Sequence, residues 1–376
     1  MKEEVRDLYN SEQLHDNWIT KVKSEGIEGI SGTSSNLVIS FIEDLSIGMN
    51  ISKKSKKGGR KKNTLNRTRQ KLIFVIKGLE ERGIKPITKA KEEDLHKFFN
   101  DMKNGVIKTR VGTPYKSAWD YVKTLKTFWH WYQRIMKKSG VLIEDITEDL
   151  DRRGEKPKFV YFTQEDFEKL IEKASIDTKP LIALTFDSGM RLTELYNVRI
   201  SDFSKDFKEL QIRDETSKTF GRKIKLMICS EHIKEYVKKL ELKKSDFLAQ
   251  KSHSMVNKEL TELGKKILTE EQTKFKNLTF YDFRHSSACF WLPRYKSESA
   301  LKYRFGWKKS DMIHYYTEFL GMKDTIQEDD MYINITKTDL EKRLEKMEKS
   351  LERRKKLDKI LNKLIDNPEV LKLLNR

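Results

Sequence analysis

The chain has 376 residues, 37% apolar and 36% charged, with a formal net charge of +19. Such an excess of Lys and Arg points to a polyanionic partner, nucleic acid before an anionic membrane, although a lysine-rich compositional bias gives the same excess. No apolar run approaches the roughly 18 residues of a membrane span, and the start, Met1-Lys2-Glu3-Glu4, has no apolar signal core.

Residues 1–63 read as a short helical preamble, apolar on one face from Leu37 to Leu45, followed by a basic linker. That linker holds Lys53, Lys54, Lys56, Lys57, Arg60, Lys61 and Lys62 around Gly58 and Gly59. It has nothing to bury, so it is expected to be a flexible segment that is either solvated or in contact with phosphates. From Thr64 the spacing turns helical: Leu65, Leu72, Val75, Ile76 and Leu79, then a glycine stop at Gly83. A second helix carries Leu95, Phe98, Phe99 and Met102, and a long third one Trp119, Val122, Leu125, Phe128, Trp129 and Tyr132. Residues 64–147 are thus expected to form an all-helical domain, with its aromatics as core in preference to base-stacking platforms.

The charged stretch 148–158, with Gly154 and Pro157, reads as an interdomain linker, and a second domain is expected over 159–325. Thr163 and Asp166 have capping-box spacing for a helix start. Helices over 180–188 and 191–198 flank the turn Ser188-Gly189-Met190. Leu210–Arg213 and Lys223–Ile228 alternate as a hairpin would, with Ser217-Lys218-Thr219-Phe220-Gly221 between them. Helices are expected again from Glu231 to about Glu318, and residues 326–376 read as a charged tail with leucines at helical spacing. The expected fold class is mainly α with a small β-sheet (α+β). Cys229 and Cys289 lie in apolar surroundings and suit buried thiols in a reducing cytoplasm, a disulfide between them being less favoured. With neither zinc-type Cys/His spacing nor a glycine-rich phosphate loop, no metal or other cofactor is expected.

Cleaving a phosphodiester without metal needs rigid cations on the non-bridging oxygens, an in-line nucleophile and a proton donor for the leaving oxygen. Arginine suits the first task, because its planar fork donates two parallel hydrogen bonds. Arg191 follows the glycine turn at a helix start, where backbone amides also favour anions. Thr279-Phe280-Tyr281-Asp282-Phe283-Arg284-His285 puts Arg284 three residues after Tyr281, on one helix face. Phe305-Gly306-Trp307 then precedes Tyr315-Tyr316.

These segments resemble the catalytic domain of the tyrosine recombinases, the phage-type and archaeal integrases. That family carries "TG-[LM]-R-xx-E-L", then "H-xx-R-H", then "L-G-[HW]" with a tyrosine nine residues beyond the last His or Trp. Tyr316 lies nine beyond Trp307, which separates it from Tyr315. The resemblance covers about 64–320, and it makes residues 64–147 the counterpart of a core-binding domain that grips the duplex.

It implies that Arg191 and Arg284 clamp the scissile phosphate and that Trp307 donates its indole N–H to a phosphate oxygen. Lys218 would protonate the leaving 5′ oxygen, with Lys223 and Lys225 as rivals. Tyr316 would form a 3′-phosphotyrosyl link that needs neither metal nor ATP. Glu194 would orient the site and His285 would act as a structural hydrogen-bonder. Tyr281 stands where the family usually has histidine. A phenol titrates at about 10 and is a poor base near neutral pH, so the acceptor of the nucleophile's proton is left unassigned.

The implied activity is site-specific recombination on double-stranded DNA by a homo-tetramer in the cytoplasm, at the nucleoid, for integration or excision of a mobile element. A chromosome-dimer resolvase, a type IB topoisomerase-like enzyme and a catalytically silent DNA-binding protein are the rivals.

Overall fold

The computed structural model describes residues 5–50, 58–154, 161–267, 277–295 and 297–321, with 347, 348, 351 and 352. Lys53, Lys54, Lys56 and Lys57 lie outside the described residues, as does nearly all of the expected C-terminal helix. By contact, residues 1–316 form one unit and 317–376 another. The architecture is mainly helical with one two-stranded antiparallel sheet, the fold class the sequence implies. Among the described residues no helix is long and apolar enough to cross a membrane.

Five helices build the first core: α1 (Ser11–Glu25), α2 (Gly32–Ile47), α3 (Lys62–Glu80), α4 (Glu92–Asn104) and α5 (Ala118–Lys138). The hydroxyl of Ser31 caps α2 by accepting from the Ser34 amide at 3.4 Å. Ser31 also donates its own amide and hydroxyl to Glu80 at 2.6 Å each, fixing the start of α2 to the end of α3. The sequence suggests a boundary near residue 63, but Val22, Ile27, Val38, Phe41, Ile42 and Leu45 share one core with the leucines of α3 and the aromatics of α5. The reason lies in α2, whose apolar stripe needs a partner and finds it on α3 and α5. Phe128, Trp129 and Trp131 are buried, whereas Trp119 and Tyr132 are half-buried. Trp131 donates its indole N–H to Asp44 at 2.7 Å, which satisfies the polar edge of an otherwise apolar ring. Leu150 belongs to this core as well, so the connection to the second core begins after it.

The second core is built from α6 (Gln164–Lys173), α7 (Thr178–Ser188), α8 (Leu192–Leu195), β1 (Glu209–Ile212), β2 (Arg222–Lys225), α9 (Ser230–Lys239), α10 (His253–Ile267) and α11 (Phe280–Trp291), and α12 (Glu298–Phe305) and α13 (Asp311–Phe319) follow it in the chain. Thr163 and Asp166 form the capping box of α6, with the side-chain to amide bonds at 3.2 and 3.1 Å. Helix α7 is buried around its circumference and packs against α11, so both carry site residues on a rigid spine. The strands pair Ile212 with Arg222 and Leu210 with Ile224, which turns those four side chains inward and the lysines of β2 outward.

The N-terminal residues before α1 run across the second core rather than the first. Arg6 donates its amide to Asn197 at 2.7 Å and its guanidinium to the Ala249 carbonyl at 2.8 Å, and stacks 3.7 Å from the Phe247 ring centre. Cys229 and Cys289 are both free thiols and buried.

Candidate active site

Helix α7 ends on Gly189 in the left-handed region, φ 61°, and a Cβ there would stand 2.1 Å from a ring carbon of Phe305. Only glycine allows both the turn and that approach. The turn delivers Arg191, whose guanidinium donates to Glu194 at 3.2 Å, to the Thr219 hydroxyl at 3.4 Å and to the Gly306 carbonyl at 2.9 Å. The expected helix-terminal anion site is not what the fold supplies. Helix α8 is a single turn, and the Arg191 amide is already taken by the Glu194 carboxylate at 2.8 Å. The anion-binding capacity therefore resides in the guanidinium.

Glu194 is buried and bridges Arg191 to Arg222, which donates two bonds at 3.1 and 2.9 Å, while the Ser217 hydroxyl adds a third at 2.8 Å. Burial alone would raise its carboxyl, but the Arg222 and Arg191 cations outweigh that and hold it down to about 2.

Arg284, on α11, is buried, donating to the Gly189 carbonyl and, at 3.0 Å, to the Phe305 carbonyl. Burial, then the neighbouring Arg191 charge, lower its guanidinium to about 9, which leaves it cationic at neutral pH. Both arginines thus converge on the turn that ends α12. Gly306 in that turn has φ 61°, and a Cβ on it would lie 2.8 Å from Arg222 and 3.1 Å from Arg191. Lys218 is exposed on the β1–β2 connection. Its neighbours anchor it to the same place: Ser217 on Glu194, and Thr219 on the Gly306 carbonyl at 3.0 Å. Lys223 pairs instead with Glu209 across the strands at 2.5 Å.

Tyr316 is 2% exposed and shares a hydrogen bond of 2.5 Å with His285 Nδ1. Trp307 is also buried and lies flat between Phe305 and Tyr316, at ring-centre distances of 4.6 and 5.7 Å. Burial pushes the Tyr316 phenol well up, only partly countered by Arg284. Burial and then Arg284 push the His285 imidazole down to about 4, so it is neutral at pH 7. Tyr281 is 58% exposed, its ring centre 6.5 Å from His285. Tyr281 and Arg284 leave α11 three residues apart, one into solvent and the other into the interior. Of the basic segment, Lys61 is exposed and Lys62 pairs with Asp16 at 2.9 Å. Arg60 is half-buried at the lip of a cleft shared with Arg134.

A family model described as Phage integrase family matches residues 160–320, the stretch that holds all of these second-core groups. These residues form a phage integrase domain. The solved structures similar to the chain include a lambda integrase dimer bound to a COC′ core site, 14% identical, covering 84% of this chain and 84% of that one at a TM-score of 0.56. Another is the Tn1549 transposon integrase in complex with circular intermediate DNA, 15% identical, covering 80% of this chain and 98% of that one at 0.52. At such identities the likeness is one of fold. No curated protein sequence matches the chain.

The integrase domain also uses charges that its sequence does not advertise. Asp187 is fully buried; its carboxylate accepts from Arg304 at 2.8 Å and from the amides of Met227, Ile228 and Cys229 at 2.8, 2.6 and 3.0 Å. Arg304 also lies 4.0 Å from the Trp291 ring centre. This pair ties α7, α12 and the start of α9 together beneath the turn that Arg191 and Arg284 share. Arg222 does the same for β2 by donating to the Arg304 carbonyl at 2.8 Å. Among the described residues no group of three or more His, Cys, Asp or Glu is arranged to hold a metal ion.

Proposed function

We propose that the chain is a site-specific DNA recombinase that cleaves and rejoins strands through a 3′-phosphotyrosyl intermediate on Tyr316. The observation that carries this reading is the convergence of two guanidinium groups on the Gly306 turn, with a buried tyrosine hydroxyl bonded to the residue next to Arg284. Arg191 and Arg284 present fixed N–H donors where a phosphate carries its charge, and donors already in place need no reorganisation as that charge grows. Lys218, on an anchored loop, protonates the leaving 5′ oxygen, and Trp307 supports the phosphate and the Tyr316 ring. Glu194 keeps Arg191 oriented. Tyr281 lies at the solvent side of α11, where it meets the DNA backbone.

Double-stranded DNA is the partner, with phosphate contacts from Arg60, Lys61, Lys62 and the lysines before them. The working form is a homo-tetramer on two duplexes, acting in the cytoplasm at the nucleoid to integrate or excise a mobile element. The lambda and Tn1549 structures, which hold integrases with DNA, support the partner.

The test is covalent trapping on a nicked duplex whose short cleaved strand diffuses away. Wild type and Tyr315→Phe are expected to leave a protein–DNA adduct, and Tyr316→Phe none. Binding without any adduct from wild type would leave a DNA-binding protein and no recombinase. The tail after Thr336 would join protomers in that tetramer, and assembly on DNA that is unchanged without residues 337–376 would refute this.

A further inference from the structure

We infer that His285 is the group that accepts the proton of the Tyr316 hydroxyl when that tyrosine attacks the phosphate. This rests on the recombinase reading and fills the place left open by Tyr281. The geometry comes first: Oη and Nδ1 are 2.5 Å apart, within the reach a general base requires. The rings approach at 5.8 Å and 53°, which leaves a lone pair in the imidazole plane available to the phenol. Tyr316 is 2% exposed, so bulk water is a poor competitor for its proton. Tyr281 is exposed and beyond the ring of His285, so the substituted position does not itself hold the nucleophile.

The electrostatics add a dependence on substrate. The titratable and charged groups around the imidazole are Tyr281, Arg284 and Cys289 on α11, Tyr315 and Tyr316 on α13, and Arg191 acting through Arg284. A neutral imidazole carrying its proton on Nε2 accepts from the phenol. The Arg284 charge is the second cause, after burial, of its low basicity. A phosphate seated on Arg284 offsets that charge, so the base strengthens when DNA is bound. In the step itself the Oη–H bond breaks and the proton moves to Nδ1. The phenolate oxygen bonds to phosphorus, and the bond from phosphorus to O5′ breaks with a proton from Lys218. The products are the 3′-phosphotyrosine, a free 5′-hydroxyl and an imidazolium, and religation returns each proton.

The probe is a duplex obtained by covalent trapping of wild-type protein on a random-sequence library, then made with either oxygen or sulfur at the bridging 5′ position. Sulfur leaves without a proton, so it relieves a missing acid but not a missing base. His285→Ala and His285→Gln are expected to form adduct about 10²-fold or more slowly than wild type on both versions. Both should retain duplex affinity and regain rate as pH rises. Lys218→Ala should be slow on oxygen and restored by sulfur. Adduct formation by both His285 variants within threefold of wild type at pH 7 would overturn the inference alone. No wild-type adduct with any duplex would overturn the recombinase reading and this inference with it. Independently of DNA, nitrogen NMR should find His285 Nδ1 unprotonated in wild type and shifted in Tyr316→Phe. A proton resident on Nδ1 would count against the assignment.

Discussion

Replacing Glu194 by Gln tests the charge network that holds Arg191. The carboxylate is buried, receives two bonds from Arg222, and is held from 4.5 down to about 2. A shift of that size corresponds to about 3 kcal/mol of stability, at 1.36 kcal/mol per unit. Because the folded pKa lies below the unfolded one, this stability is fully present above about 4.5 and is lost as pH falls through 2. Gln keeps the shape but not the charge, so Arg222 and Arg191 lose their counter-ion inside the protein. Urea denaturation at pH 7 should show Glu194→Gln less stable by about 3 kcal/mol, within the 3–5 expected for breaking a buried pair. At pH 3 the gap should close to about half, since the carboxyl is then still mostly ionised in the folded state but almost wholly protonated in the unfolded one, so folding must also release a proton. A gap under 1 kcal/mol at pH 7, or one that does not change with pH, would refute the reasoning. Adduct formation should fall too, because Arg191 loses the partner that fixes its fork.

Two further substitutions probe neighbouring parts of the site. Arg284→Lys keeps a charge but cannot reach the Gly189 and Phe305 carbonyls as a planar fork. Its rate of adduct formation should drop by about 10²–10³ with little change in duplex affinity, measured by single-turnover trapping and filter binding. Asp187→Ala leaves the Arg304 charge without its counter-ion and three amides without their acceptor. It should cost at least about 3 kcal/mol in urea denaturation, and a loss below 1 kcal/mol would show that the carboxylate is not a structural centre.

Much of this arrangement is visible in the sequence itself. The Thr163 capping box is a local signal and folds as one, because both partners lie within a single turn. The hairpin around Lys218 is local as well. Arg191, Arg284 and Tyr316 are found through motif spacing, not through physics that the sequence alone displays. The rest is determined by tertiary contacts. Arg222 and Arg304 are two among 77 Lys and Arg residues, and nothing in their surroundings marks them as buried. The bond from Tyr316 to His285 joins residues 31 apart, so no window on either helix contains it. Helix α8 reads as two turns because its apolar spacing continues past Leu195, yet Asn197 instead bonds Arg6, and the chain turns away.

That last contact makes Arg6 a fastening between two hydrophobic cores that the sequence presents as joined by one linker. The chain leaves the second core at the start of α1 and returns to it after residue 154, so two connections run in parallel. Three hydrogen bonds, the longest at 3.4 Å, and one cation–π stack of Arg6 help to hold the first connection, together worth about 2–4 kcal/mol. At that strength it is undone in about one molecule in thirty to one in a thousand at any moment. The two cores would then spend most of their time buckled, and the rare unbuckled fraction would set how often they can part. Clipping the backbone after Arg153 would leave the two pieces associated through this buckle, whereas removing the first ten residues as well would let them part.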